Sequence, residues 1–244
     1  MSRLKPVGAF DEAAPTYNAH AGIQQAVAQQ LVWDVAQHLV ESRSPVSVLD
    51  VCCGTGLVTR EINLLLPNAE IWALDAAPSM LEETRKAVPR VRTIEADAQN
   101  FGLDRKVDFI ISSMGLQWMQ NPFATLEHWR TQLTPGGIAC IAVPVEIPTW
   151  VAFCASHGIE NRLIAFPKEE DFRAIAETLT VRDHTIVYPN PRAFLQGMKQ
   201  TGAHTPKEGS SPTRPGALKK ILKETEPLSV TWKILYLTVK NGPC

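Results

Sequence analysis

The run Val48-Leu49-Asp50-Val51-Cys52-Cys53-Gly54-Thr55-Gly56 limits what this chain can fold into more than any other stretch. An apolar segment ends in an acid, turns through small residues and passes into Leu57-Val58-Thr59-Arg60-Glu61-Ile62, which reads as helix. Strand, tight turn and helix start form the unit with which open α/β sheets hold nucleotide-like ligands. The turn lacks the wider G-x-G-x-x-G spacing of dinucleotide sites, and no Lys-Ser or Lys-Thr follows it as a phosphate-cradling loop requires.

The flanking segments repeat the alternation. Ile23, Val27, Leu31, Val35 and Leu39 lie at helical spacing over 22–41. Strands are expected over 46–51, 70–74, 91–95, 107–112 and 138–143, with helices over 57–66, from Pro78 onward and over 123–133. Thr134-Pro135-Gly136-Gly137 reads as the turn ending the last of these helices. The remainder is less regular. Helices are expected over Phe172–Leu179, Arg192–Lys199 and Leu218–Glu224, a strand over Thr185–Tyr188, and a loop over 203–216. A final strand over Thr231–Val239 reads as antiparallel. A βαβα order implies a mostly parallel sheet with helices on both faces. The expectation is one Rossmann-like α/β domain over 1–244, with an N-terminal helical segment at 1–42, a ligand-binding core at 43–145 and substrate-side elements at 146–244.

Composition agrees with a single domain of this kind. A chain of 244 residues that is 45% hydrophobic can bury a full sheet-and-helix core. Its net charge of −1 argues against general nucleic-acid binding. No apolar run approaches the roughly 18 residues that span a bilayer, and the N-terminus lacks a signal-peptide pattern. The five cysteines lack metal-ligand spacing and read as reduced thiols, so a cytoplasmic protein is expected. The six histidines include no i, i+4 pair on a helix, so no metal is expected.

A G-x-G turn after an acidic strand end, without a phosphate grip, resembles motif I of class I S-adenosylmethionine methyltransferases. That resemblance implies the cofactor, and ligands of such sheets lie at the carboxyl ends of the strands. Gly54 and Gly56 let the backbone approach the ligand. Asp75, 19 residues beyond Gly56, is placed to accept both ribose hydroxyls. Asp97 and Ala98 offer a side-chain acceptor and a backbone N–H to the adenine edge, and Asp50 faces the amino group of the methionine part. Met80, Ser113 and Tyr17 complete the expected cofactor set. Each acid alone is equally a helix cap or a solvated loop residue; three acids at three successive strand ends favour the cofactor. The motif departs from its usual form at Cys52, which replaces a glycine and would lie beside the methionine moiety. Cys52 and Cys53 as a redox pair is the sharper reading, but adjacent cysteines rarely meet disulfide geometry, and small-residue filler is favoured.

Strand four ends Ser112-Ser113-Met114-Gly115-Leu116-Gln117-Trp118, without the Asn-Pro-Pro-Tyr pattern of nucleic-acid and protein N-methyltransferases. Gln117 and Trp118 suit a small pocket wall, although core packing explains Trp118 equally well. The run Phe10-Asp11-Glu12-Ala13-Ala14-Pro15-Thr16-Tyr17-Asn18-Ala19-His20-Ala21-Gly22-Ile23-Gln24 resembles the opening of the BioC-type malonyl-acyl-carrier-protein O-methyltransferases of biotin synthesis. The segments Ile110-Ile111-Ser112-Ser113 with Gln117-Trp118, and Met198-Lys199-Gln200-Thr201-Gly202-Ala203 with Glu208-Gly209, are similar to that family as well.

The resemblance implies methylation of the free carboxylate of a malonyl thioester on acyl carrier protein. A carboxylate is already ionised at neutral pH, so no general base is assigned. On this reading Tyr17 closes over the site, and Arg162 or, second, Lys199 holds the malonyl carboxylate; a solvated surface position is the other reading of both. Arg192, Lys199, Arg214, Lys219 and Lys220 would offer the acidic carrier a basic surface. A monomer with no membrane or nucleic-acid partner is expected. The competing readings are a trans-aconitate-type carboxyl methyltransferase, a quinone C-methyltransferase, and a methyltransferase-like partner protein without catalysis.

Overall fold

The computed structural model of the protein describes residues 5–41, 46–161, 163–203 and 221–242. Its centre is a seven-stranded sheet in the order β3-β2-β1-β4-β5-β7-β6, from β1 (Ser47–Val51), β2 (Glu70–Asp75), β3 (Arg92–Glu95), β4 (Val107–Ser113), β5 (Leu133–Glu146), β6 (Thr178–Tyr188) and β7 (Leu228–Lys240). The first five strands pair in parallel, and β7 runs antiparallel between β5 and β6. This is the mostly parallel sheet, with one antiparallel strand, that the alternation predicts.

The central strands are apolar on both faces because helices cover both. Val48, Leu49 and Val51 of β1 are fully buried, as are Ile110 and Ile111 of β4. On one face, α3 (Gly22–Glu41) packs Val27, Leu31, Val35 and Leu39 against Val48, Phe109 and Ile111. On the other, α6 (Pro122–Thr131) packs Leu126 and Trp129 with Leu49, Ile110 and Ile141. The helix ends follow local chemistry. Asn121 Oδ1 accepts from Ala124 N at 3.0 Å with Pro122 in the first turn, and Asn190 caps α8 (Pro191–Gln200) in the same way.

Chain order reverses between β1 and β4: β1 leads outward to β2 and β3, whereas β4 leads the other way to β5. Loops leaving the carboxyl ends of these two strands splay apart and open a crevice. The segment before α3 closes over that crevice as α1 (Lys5–Ala13), a short 3-10 turn (Ala14–Thr16) and α2 (Tyr17–His20). It is fastened at several points. Asp11 Oδ1 accepts from Ser79 N at 2.8 Å at the start of α5 (Pro78–Ala87), where free N–H groups favour an anion. Thr55 Oγ1 donates to Asn18 Oδ1 at 2.6 Å, and Val7, Phe10 and Tyr17 pack on Ala14, Ala77 and Met80.

Two expectations need correction, one helix was not foreseen, and two segments fall largely outside the described residues. The helix expected over 172–179 is a 3-10 turn at Glu169–Phe172 followed by β6, because Phe172 anchors in the core and Thr178–Tyr188 alternates along β7 with period two. Helix α6 ends at Thr131, and the Thr134–Gly137 turn is drawn into a longer β5. There Leu133 pairs with Val107, and Asn241 bonds Leu133 O, Thr134 O and the Gly136 N–H. A helix not foreseen, α7 (Pro148–Ser156), buries Trp150 and Cys154. The expected 218–224 helix and 203–216 loop fall largely outside the described residues; what is described ends in a turn with Glu224 N bonded to Ile221 O.

If Asp11 is the main polar fastening of the N-terminal segment, Asp11→Ala costs about 1 kcal/mol of stability. Amide exchange of residues 5–20 then speeds up while that of α3 is unchanged, measured by hydrogen-exchange mass spectrometry.

Candidate functional site

Two joined cavities occupy the crevice. The outer has an empty volume of about 1100 Å³ including its open mouth, and residues from the carboxyl ends of β1, β2, β3 and β4 line it. The inner, an empty volume of about 440 Å³ including its open mouth, shares Phe10, Tyr17, Gln24, Met114 and Trp118 with the outer and extends between Leu163, Phe166, Met198 and Trp232. A group bound in one meets a group bound in the other at those five shared side chains.

Asp75 organises the outer cavity. Its Oδ2 accepts from Gly54 N and its Oδ1 from Ala77 N, both at 2.9 Å, so one carboxylate ties the turn after β1 to the turn after β2. Each oxygen keeps a second lone pair for a ligand hydroxyl. Burial holds its pKa above the ordinary range, against the opposing pull of those backbone donors. Asp50 lies deeper. Thr59 Oγ1 donates to Asp50 Oδ2 at 2.5 Å, whereas Oδ1 is buried with no partner among the described residues. Burial pushes its carboxyl up to about 7, with Asp75 adding repulsion. Asp97 is exposed at the rim, where Oδ1 accepts from Gln99 N at 2.9 Å, and Ala98 beside it is buried.

Gly56 starts α4 (Leu57–Leu65) with φ +83°, and a side chain there would press on Thr84 of α5 at 3.1 Å. Cys52 also lies in the left-handed region, at φ +58°, which suits glycine and strains any other residue by ~1–3 kcal/mol. Its side chain fills space at Gly115: a Cβ at 115 would sit 2.4 Å from Cys52 Cβ and 2.8 Å from its sulfur. Burial and the nearby Asp75 push the thiols of Cys52 and Cys53 well above their ordinary pKa, so both stay protonated and unreactive. This agrees with filler rather than a redox pair. Met114 follows β4 at φ +55°, its carbonyl accepting from Gln117 Nε2 at 2.6 Å.

The structure brings Tyr17, Asp50, Cys52, Gly54, Asp75, Met80, Asp97, Ala98, Ser113 and Trp118 to the wall of the outer cavity. Gln117 lines the inner one, and Gly56 acts from behind the turn. Tyr17 is half-buried, and burial together with the Asp75 charge raises its pKa, so the phenol keeps its proton. Trp118 meets Phe10 edge-on at 5.2 Å. Lys199 is exposed on α8, and the described inner-cavity lining takes its neighbour Met198 instead. Arg162, Arg214, Lys219 and Lys220 lie outside the described residues. Sequence reasoning missed Gln24, Met114 and Trp232. Gln24 carried a usable signal, an amide one residue after Ile23 on the buried face of α3; the backbone strain of Met114 carried none.

Three carboxylates, with a buried Asp50 oxygen and a Ser113 hydroxyl that have no partner among the described residues, suit a ligand carrying cationic groups and hydroxyls. S-adenosylmethionine has an ammonium, a sulfonium and a ribose diol, and fits that donor set.

Comparisons with known proteins agree. A family model described as "Methyltransferase domain" matches residues 48–137. The malonyl-[acyl-carrier protein] O-methyltransferase of Dechloromonas aromatica is 30% identical over 205 residues, covering 80% of this chain and 75% of that one. The biotin biosynthesis bifunctional protein BioCD of Bordetella avium is 29% identical over 235 residues; the match covers 93% of this chain but 50% of that longer protein. A trans-aconitate 2-methyltransferase of an Enterobacter species is 37% identical over 100 residues, 41% of this chain and 40% of that one. Among solved structures, the plantazolicin methyltransferase BpumL in complex with SAH superposes with a TM-score of 0.53 at 16% identity, covering 96% of this chain and 95% of that one.

Two outcomes test the site. Asp50 binds a proton in the folded ligand-free protein between about pH 3.8 and 7 that the unfolded chain lacks, so its burial costs stability as pH rises through that window, about 4 kcal/mol above it. Asp50→Asn therefore raises the melting temperature of the ligand-free protein at pH 8, by an amount that shrinks toward pH 5, while weakening S-adenosylmethionine binding about ten-fold in calorimetry. Gly115→Ala costs ~1–3 kcal/mol through overlap with Cys52, and Cys52→Gly in the same chain restores the loss, read from thermal midpoints.

Proposed function

From a chain that belongs to the malonyl-[acyl-carrier protein] O-methyltransferase family of S-adenosylmethionine-dependent methyltransferases, we propose methylation of the free carboxylate of a malonyl thioester carried by acyl carrier protein. The observation that supports this reading is the pairing of cavities. An outer cavity with acidic side chains suits the cofactor, and it opens through Tyr17, Phe10, Met114 and Trp118 into an inner one walled by Pro144, Leu163, Ile164, Phe166 and Met198. An apolar inner chamber with a few amide groups suits an acyl thioester better than a polyanion, whose charges would lose hydration there.

S-adenosylmethionine, when bound, would supply a sulfonium methyl: the acceptor carboxylate oxygen would bond to the methyl carbon in line as the C–S bond breaks, with S-adenosylhomocysteine as the leaving group. The rest is positioning. A malonate carboxylate needs no deprotonation at neutral pH, so no base has to touch it. Asp75, Gly54 and Asp50 hold the cofactor, and Tyr17 with Phe10 excludes water from the junction of the two cavities. Arg162 is the proposed partner of the acceptor carboxylate. Arg192 and Lys199, both exposed on α8, the helix that carries Met198 of the inner wall, give an acidic carrier protein a basic face to meet.

The trans-aconitate reading has a specific footing in the shorter match noted above. That match covers 41% of this chain.

Methyl transfer from labelled S-adenosylmethionine, with malonyl-carrier protein, malonyl-coenzyme A and trans-aconitate offered side by side, tests the proposal. Label on the malonyl thioesters is expected; label only on trans-aconitate overturns it. Tyr17→Phe, which keeps the ring, is expected to retain activity within a few-fold, whereas Tyr17→Ala opens the junction and lowers kcat/KM by about 10²-fold.

A further inference from the structure

Trp232 lies in the inward row of β7 with Val230, Ile234 and Tyr236 and is 3% exposed. It lines the inner cavity, yet its indole N–H has no hydrogen-bond partner among the described residues. Trp129 gives the contrast. It is equally buried, but its Nε1–H donates to Ala98 O at 2.7 Å. A buried donor left unpaired is costly, so a fold that pairs one indole and orphans another beside a cavity has reserved that donor for an occupant.

An acceptor lies in the same wall. Gln117 Nε2 is committed to Met114 O at 2.6 Å, which fixes the amide so that Oε1 faces as an acceptor, and that oxygen is buried without a partner among the described residues. Gln24 Oε1 is a second buried acceptor lining the same space, likewise with no partner among the described residues. One free donor and carbonyl acceptors in an apolar chamber complement a ligand that carries both a carbonyl oxygen and an N–H. A thioester on an amide-containing arm has both. A free polycarboxylate offers only acceptors and would set its charge against two amide oxygens.

We propose that Trp232 is a positioning residue for the methyl acceptor: its indole N–H donates to an acyl oxygen of the substrate, while Gln117 Oε1 accepts from an amide N–H of the arm that carries the acyl group. This rests on the acyl-thioester reading given above. The arrangement sets the acyl chain against the junction with the cofactor cavity and selects for a carried acyl group over a free acid.

The test uses the full chain and two replacements that remove the N–H but keep an aromatic ring: Trp232→Phe, and β-(3-benzothienyl)alanine at 232, which keeps the bicyclic shape should the Phe variant fold poorly. With malonyl-coenzyme A as acceptor, both are expected to lower kcat/KM about ten-fold, mostly through KM, with S-adenosylmethionine affinity unchanged within two-fold. In the unmodified protein with SAH bound, the ¹⁵N-indole resonance of Trp232 is expected to move downfield on adding malonyl-coenzyme A and to stay in place with trans-aconitate. Transfer to malonyl-coenzyme A that is indifferent to both replacements overturns the role of Trp232 and leaves the function standing. Transfer to trans-aconitate alone overturns the function; the Trp232 role then survives only if the replacements impair that transfer. With transfer to neither acceptor, a Trp232 shift on malonyl-coenzyme A supports the donor role, and its absence overturns it.

Discussion

The two hydrogen bonds from Gly54 N and Ala77 N to the Asp75 carboxylate are the contact on which the site depends. They join the turns after β1 and β2, which are otherwise separate loops on neighbouring strands. The carboxylate is held rigid before any ligand arrives, and its remaining lone pairs point where a diol can use them. The cost of burying it shows in its raised pKa. Asp50 carries a similar cost with less compensation, since Thr59 satisfies only one of its oxygens. A cation placed beside it would recover that expense, so the site is unfavourable empty and favourable filled.

Strain gathers at the same place. Cys52 and Met114 both adopt positive φ without being glycine, at the ends of the two strands that flank the crevice. Cys52 is accommodated because Gly115 leaves room for its side chain, so the glycine lost at one position is compensated by a glycine on the facing strand end. Met114 turns its carbonyl to Gln117 and in doing so orients the amide that faces the inner cavity. Backbone strain here sets the direction of side chains that the ligand would meet.

The N-terminal segment closes this arrangement without forming part of the sheet. Asp11 meets the start of α5, Asn18 meets Thr55 of the turn, and Phe10 stands on Trp118. Its polar fastenings are only part-buried, in contrast to the wholly buried apolar row of α3. A cover held this way can open for exchange of a cofactor without disturbing the core beneath it.

From the sequence came the parallel core, because the apolar period of each segment reports burial directly: β1, β4 and α3 stand where their patterns place them. That Asp50, Asp75 and Asp97 would line one cavity was equally legible, since they lie at successive strand ends and strand ends converge by topology. Segments whose state depends on a distant partner were not. Phe172–Leu179 has a helical pattern, but pairing along β7 makes most of it strand, and Thr134–Gly137 reads as a turn until Asn241 binds it into β5. The inner cavity was the least legible part. Gln24 on α3, the Met114–Gln117 turn after β4 and Trp232 on β7 lie far apart in the chain, and no local spacing relates the three. Sequence alone determined the parallel core of the sheet, the βα alternation along it and the acids at its strand ends, because those follow from local periodicity. Only the tertiary structure decided which buried polar atoms remain unpaired and face a common space, because pairing is settled between residues far apart in the chain.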